Sequence, residues 1–123
     1  MGTVLVVDDE WAIADWLATI ISEEGHRVLV ASNGKRALEI LENEGVDLVI
    51  ADFMMPLVDG PALMSAMKAD SRTADIPVII MTALPESTVR QRLVGYQAFL
   101  RKPFREAELL AGLAKVLGPS VRP

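Results

Sequence analysis

The sequence predicts an α/β fold: a five-stranded parallel sheet, doubly wound as (βα)5, with helices on both faces. Three observations predict it. Short β-type runs alternate strictly with helix-type patterns, five times along 123 residues. The runs are apolar and lack polar alternation, as strands buried on both sides must be. No repeat, low-complexity stretch or internal linker interrupts the pattern, and the length suits one domain with its own core.

The first strand is Val4 to Val7. A helix follows with Ile13, Trp16, Leu17, Ile20 and Ile21 on one face, and Gly25 is positioned to end it. Arg27 to Ala31 forms the second strand. Ser32 or Asn33 caps the second helix, whose inner face is Ala37, Leu38 and Leu41, before Gly45. Leu48 to Ala51 is the third strand. The third helix starts near Gly60-Pro61, with proline in its first turn and Leu63, Met64 and Met67 turned inward. Val78 to Met81 is the fourth strand, and a weaker helix is expected from about Glu86 to Val94, where only Val89, Leu93 and Val94 offer apolar periodicity. Ala98 to Leu100 is the fifth strand, and Glu106 to Leu117 an amphipathic last helix. Residues 1–118 are read as the domain, and 119–123 as a flexible tail or the beginning of a linker.

Composition narrows the function classes. A net charge of -5 argues against nucleic-acid binding through a general basic surface. No apolar run approaches the about 20 residues of a membrane span, and Asp8 and Asp9 break the N-terminal run, so it is no signal peptide core. The absence of cysteine excludes disulfides and thiolate metal sites and suits a reducing cytoplasm.

In a parallel sheet all strand C-termini meet one edge, where ligands bind beside the reversal of strand order. The residues there are Asp8 and Asp9 after strand one, Asp52 after strand three, Thr82 after strand four and Lys102 after strand five. Crowded carboxylates repel and gain proton affinity unless a cation sits among them. Oxygen donors without sulfur or imidazole suit Mg²⁺. A carboxylate can also act as a nucleophile and form an aspartyl phosphate, with Lys102 and Thr82 as donors to the phosphoryl oxygens.

The stretches "VLVVDDE", "DFMMPLVDG", "MTA" and "RKPF", in this order, resemble the signature of response-regulator receiver domains of two-component signalling. The resemblance runs from about Thr3 to Leu117. It implies the flavodoxin-like strand order 2-1-3-4-5. It implies that Asp52 is the phosphoacceptor, taking a phosphoryl group from a sensor histidine kinase or a histidine phosphotransfer protein. Mg²⁺ would be held by Asp9 and Asp52, by Asp8 through water, and by the backbone carbonyl of Met54. Thr82, Lys102 and the backbone N–H of Ala83 would bind the phosphoryl oxygens, Thr82 and Phe99 would form the switch, and the Lys102-Pro103 bond would be cis. Further implications are a downstream protein partner, a phosphorylation-dependent dimer through the face of the fourth helix, fifth strand and fifth helix, a cytoplasmic location, and no turnover beyond the domain's own phosphorylation and dephosphorylation.

Taken singly, Asp8 or Asp9 reads as a helix N-cap and Asp52 as an Asx-turn residue. Their conjunction with Thr82 and Lys102 reverses that weighting. His26 reads as a surface turn residue, Trp11 and Trp16 as packing, most methionines as core filler, and Gly60 as a turn glycine with positive φ. The chain departs from the family in a shorter interval between Thr82 and Gly95, in Tyr96-Gln97-Ala98 where acids are common, and in Phe99, which lacks a hydroxyl. Two other functions fit parts of the pattern. A phosphorylation-independent interaction module would keep the fold but usually loses one of the site residues, all present here. A phosphohydrolase of the haloacid-dehalogenase type also uses an aspartate nucleophile, but wants an acid where Met54 stands.

Overall fold

Alternate residues of each central strand enter opposite cores. The computed structural model describes residues 2–118. Its elements are β1 (Thr3–Val7), α1 (Trp11–Glu23), β2 (Arg27–Ala31), α2 (Gly34–Asn43), β3 (Leu48–Asp52), α3 (Gly60–Ala69), β4 (Val78–Thr82), α4 (Glu86–Arg90), β5 (Ala98–Arg101) and α5 (Glu106–Leu117). The strands pair in parallel in the order β2-β1-β3-β4-β5, as expected. Leu5, Val49 and Ile80 face one core with Ala37, Leu63 and Met67 of α2 and α3. Val4, Ile50 and Met81 face the other with Leu17 and Ile21 of α1 and Leu109 of α5. This two-sided burial removes polar residues from the strands, since each buried aliphatic side chain contributes about 1.5–3 kcal/mol and an unpaired polar one would cost a comparable amount.

The helix starts follow local chemistry. Of the two candidates before α2, Asn33 is the cap: its Oδ1 accepts from the Arg36 N–H at 2.8 Å. Asp59 caps α3, its Oδ1 accepting from the Ala62 N–H at 3.0 Å, with Pro61 in the first turn. At α5 the Glu108 side chain accepts from the Arg105 N–H at 3.1 Å. Gly25 follows α1 with φ 93°.

The structure corrects several expectations. Strands β3 and β4 run one residue further than expected, so Asp52 and Thr82 are themselves strand residues. Helix α4 covers only Glu86–Arg90 and not the stretch to Val94. The sequence "ESTVR" has weak helix formers at its centre, and Leu93 enters the core from the turn that follows. Gly60 does not supply a positive φ; Leu57 does, at 69°. Glycine is required at 60 because a Cβ would lie 2.9 Å from Phe53 Cα and 3.0 Å from the Asp52 carbonyl oxygen. Trp11 does not pack: it is 79% exposed, because it opens α1 ahead of the buried face that Ala14, Leu17 and Ile21 define. Trp16 is half-exposed, with its ring 5.7 Å from that of Phe104. His26 is partly buried, and its Nδ1 accepts from the Gly2 N–H at 3.1 Å. The expected tail at 119–123 lies outside the described residues. Among the described residues, no helix is long and apolar enough to cross a membrane.

Gly34 is the tightest glycine contact. A Cβ there would overlap the Val58 carbonyl and sit 2.7 Å from the Val58 Cβ, in the loop between Asp52 and α3. Alanine in a helix normally stabilises relative to glycine; at this position Gly34→Ala is expected to destabilise by about 1–3 kcal/mol through overpacking, read as a lower urea midpoint with an unchanged slope.

Candidate functional site

The strand order places β1 beside β3 and β4 beyond it, so the residues ending these strands share one edge. Asp8 follows β1, Asp52 ends β3, Thr82 ends β4 and Lys102 follows β5. The Lys102 Nζ donates to Asp8 Oδ2 at 2.9 Å and to Asp52 Oδ2 at 3.0 Å. It also lies 3.4 Å from Glu10 Oε1. Asp8, Asp52 and Thr82 are all buried. The second oxygen of each aspartate is occupied locally: Asp8 Oδ1 accepts from the Glu10 N–H at 2.8 Å, and Asp52 Oδ1 from the Met54 N–H at 3.3 Å. Thr82 Oγ1 accepts from the Leu84 N–H at 3.3 Å, and the Thr82 carbonyl accepts from the Lys102 N–H at 2.8 Å.

Lys102 therefore supplies the positive charge between two buried carboxylates. Burial pushes the Asp52 carboxyl above its ordinary value; the hydrogen bond and charge of Lys102 pull it back, the Asp8 charge raises it again, and the net displacement is upward. Burial works against the Lys102 ammonium too, but its bonds to Asp8 and Asp52 outweigh that and hold it above the ordinary lysine value. Removing Lys102 would be costly, because both buried carboxylates would be left uncompensated.

Carboxylate oxygens of Asp8, Glu10 and Asp52 lie within 4.8 Å of one another, the one such acidic group of three or more among the described residues. An all-oxygen set that Lys102 alone neutralises fits a hard divalent cation such as Mg²⁺. Asp9 is exposed and outside this group. Glu10 was not singled out from the sequence; the available signal was the acidic run of "VVDDE", whose third acid looks like the opening of a helix. The Lys102-Pro103 peptide is cis, as expected. Phe99 pairs with Ile80 across β4 and β5, its ring 6.3 Å from Tyr96. Phe99 has no hydroxyl, but Tyr96 brings one to the same cluster and donates it to Glu86 Oε2 of α4 at 2.8 Å.

The family description "Response regulator receiver domain" matches residues 4–114. The chain belongs to that family. The receiver is 35% identical over 117 residues to the phosphate regulon transcriptional regulatory protein PhoB of Pseudomonas aeruginosa, covering 94% of this chain and 51% of that protein. It thus spans about half the length of the curated relatives it matches. Among solved structures it resembles the chemotaxis protein CheY4 of Vibrio cholerae, with a TM-score of 0.85, 30% identity, and 94% and 98% of the two chains covered. It also resembles the receiver domain of a sensor histidine kinase from Pseudomonas aeruginosa, described with a magnesium ion coordinated in its active site cleft, with a TM-score of 0.87, 25% identity, and 95% and 98% covered.

The upward displacement of Asp52 gives the metal-free receiver a pH signature. A carboxyl whose folded value exceeds its ordinary 3.8 contributes stability that is complete below the ordinary value and lost as pH rises through the folded one. In chelator-containing buffer Asp52→Asn is therefore expected to melt above the parent at neutral pH, with the gap closing on acidification toward pH about 4.

Proposed function

We propose that this receiver takes a phosphoryl group from a phosphohistidine of a sensor histidine kinase or histidine phosphotransfer protein onto Asp52. The observation that supports this best is the Lys102 ammonium bonded to both Asp8 and Asp52 at the open edge of the sheet. In the step, an Asp52 carboxylate oxygen attacks phosphorus. A P–O bond forms as the P–N bond breaks, and the donor imidazole leaves with the electron pair. Lys102 keeps Asp52 ionised enough to attack and then donates to the phosphoryl oxygens, with the Thr82 hydroxyl and the Ala83 N–H as further donors. Mg²⁺ held by Asp8, Asp52, the Met54 carbonyl, and Asp9 or the adjacent Glu10 would neutralise charge on the carboxylates and the incoming phosphoryl group.

The consequence of transfer is a population shift on the α4–β5–α5 face, with Thr82 drawn toward the phosphoryl group and Phe99 following on the same side of the sheet. A downstream protein or a second copy of the domain reads that face, in the cytoplasm. The receiver itself contacts neither nucleic acid nor membrane in this reading. Its only chemistry is its own phosphorylation and dephosphorylation.

Incubation with acetyl phosphate and Mg²⁺ is expected to phosphorylate the parent and not Asp52→Asn, read by intact mass; labelling that survives in the variant overturns the assignment. Met54 and Leu84, whose N–H groups donate to Asp52 and Thr82, are both bulky and apolar and in this reading would flank the approach of attacking water to Asp52. Met54→Asn is expected to speed loss of the phosphoryl group by about tenfold, equal to about 1.4 kcal/mol of barrier, followed as decay after the phosphodonor is removed.

A further inference from the structure

The peptide that joins Ala83 to Leu84 carries two hydrogen bonds in opposite directions. Its N–H, on Leu84, donates to Thr82 Oγ1 at 3.3 Å. Its carbonyl, on Ala83, accepts from the Arg101 Nε–H at 3.3 Å. A peptide unit is planar, and in the trans form its C=O and N–H point oppositely. Fixing the carbonyl therefore fixes the direction of the N–H. Arg101 stands opposite Thr82 in the register of β4 and β5, so its side chain leaves the same face of the sheet. Its own position is set by the neighbouring backbone bond from Lys102 N–H to the Thr82 carbonyl at 2.8 Å.

The consequence falls on the Thr82 hydroxyl. A threonine hydroxyl has one proton to donate and two lone pairs. With one lone pair taken by Leu84, the rotor is held and its proton is directed away from that N–H. Hydrogen bonds in such a chain polarise one another, so a guanidinium on the carbonyl strengthens the N–H as a donor. We propose that Arg101 is a positioning residue for Thr82: through the Ala83–Leu84 peptide it holds the hydroxyl so that its proton is free for the phosphoryl group. Arg101 touches none of the acidic groups and does not take part in metal binding. The proposal rests on the reading of Asp52 as phosphoacceptor.

The geometry is tested independently of that reading by amide hydrogen exchange. The Leu84 N–H exchanges faster in Arg101→Ala than in the parent whether or not Asp52 reacts; unchanged exchange overturns the proposal. For the reaction, Arg101→Ala is expected to slow phosphorylation by acetyl phosphate roughly tenfold, the loss usual for a residue that orients a reacting group through a hydrogen bond. Mg²⁺ affinity, measured by calorimetry, stays at the parental value, and Arg101→Lys recovers most of the rate. In a Thr82→Ala background the further change Arg101→Ala has no effect on the rate, because the group it positions is gone. An undiminished rate, an equal loss in the Thr82→Ala background, or a parallel fall in Mg²⁺ affinity each contradicts the proposal. A parent that takes up no phosphoryl group at all contradicts the Asp52 reading instead, leaving the exchange result to decide the role of Arg101.

Discussion

The lysine ammonium between Asp8 and Asp52 is the contact on which the rest of the structure depends. It joins residues 94 and 50 positions apart in the chain, and it exists only if β5 has been laid beyond β4 and β4 beside β3. Two buried carboxylates at neighbouring strand ends repel each other, and the sheet edge tolerates them because one cation is shared between them. Burial and the Asp8 charge cost Asp52 some of its acidity, which the lysine restores only in part. That is also what prepares the site: a carboxylate kept near a donor cation, with water largely excluded, has little reorganisation left when charge arrives.

Around that contact each neighbouring group has a separate task set by its position. The second oxygens of Asp8 and Asp52 are held by backbone N–H groups, so the carboxylates cannot rotate freely. Gly60 lets α3 start hard against Phe53, the residue after Asp52. The Arg92 guanidinium lies 5.1 Å over the Phe53 ring and 3.7 Å from Asp59, joining the segment after α4 to the loop after β3. Thr82, Phe99 and Arg101 line the same side of the sheet, next to the short α4 that Tyr96 ties down through Glu86. A change of charge at Asp52 thus has a short packed route to α4, and a helix of five residues offers little resistance to it.

Much of this was legible in the sequence because of two-sided burial. Strands hidden on both faces cannot alternate, so their ends are marked by the first polar residue, which gave Asp8, Asp52 and Thr82; at the edge strand β5 that residue is Arg101, and Lys102 stands one position later, in the stretch "RKPF". The features that escaped are of another kind. Glu10 reaches the acidic group by the turn that starts α1, which no periodicity reveals. The positive φ at Leu57 has no residue-type signal, since leucine rarely adopts it, whereas Gly60 carries a signal whose cause is crowding rather than φ. Trp11 follows the helical pattern in type but precedes the buried face in space. The shortness of α4 was foreshadowed by its weak periodicity and the short interval before Gly95, but its end at Arg90 depends on Leu93 finding the core from a turn.

Reductive trapping tests the central claim most directly. An aspartyl phosphate is reduced by borohydride to homoserine, whereas a free aspartate is not. After incubation with a phosphohistidine donor and Mg²⁺, reduction and peptide mapping are expected to find homoserine at position 52 and to find none when the donor or the metal is withheld. Homoserine at Asp8, at Asp9 or at a site outside the crevice, or phosphate that resists reduction altogether, would contradict the account.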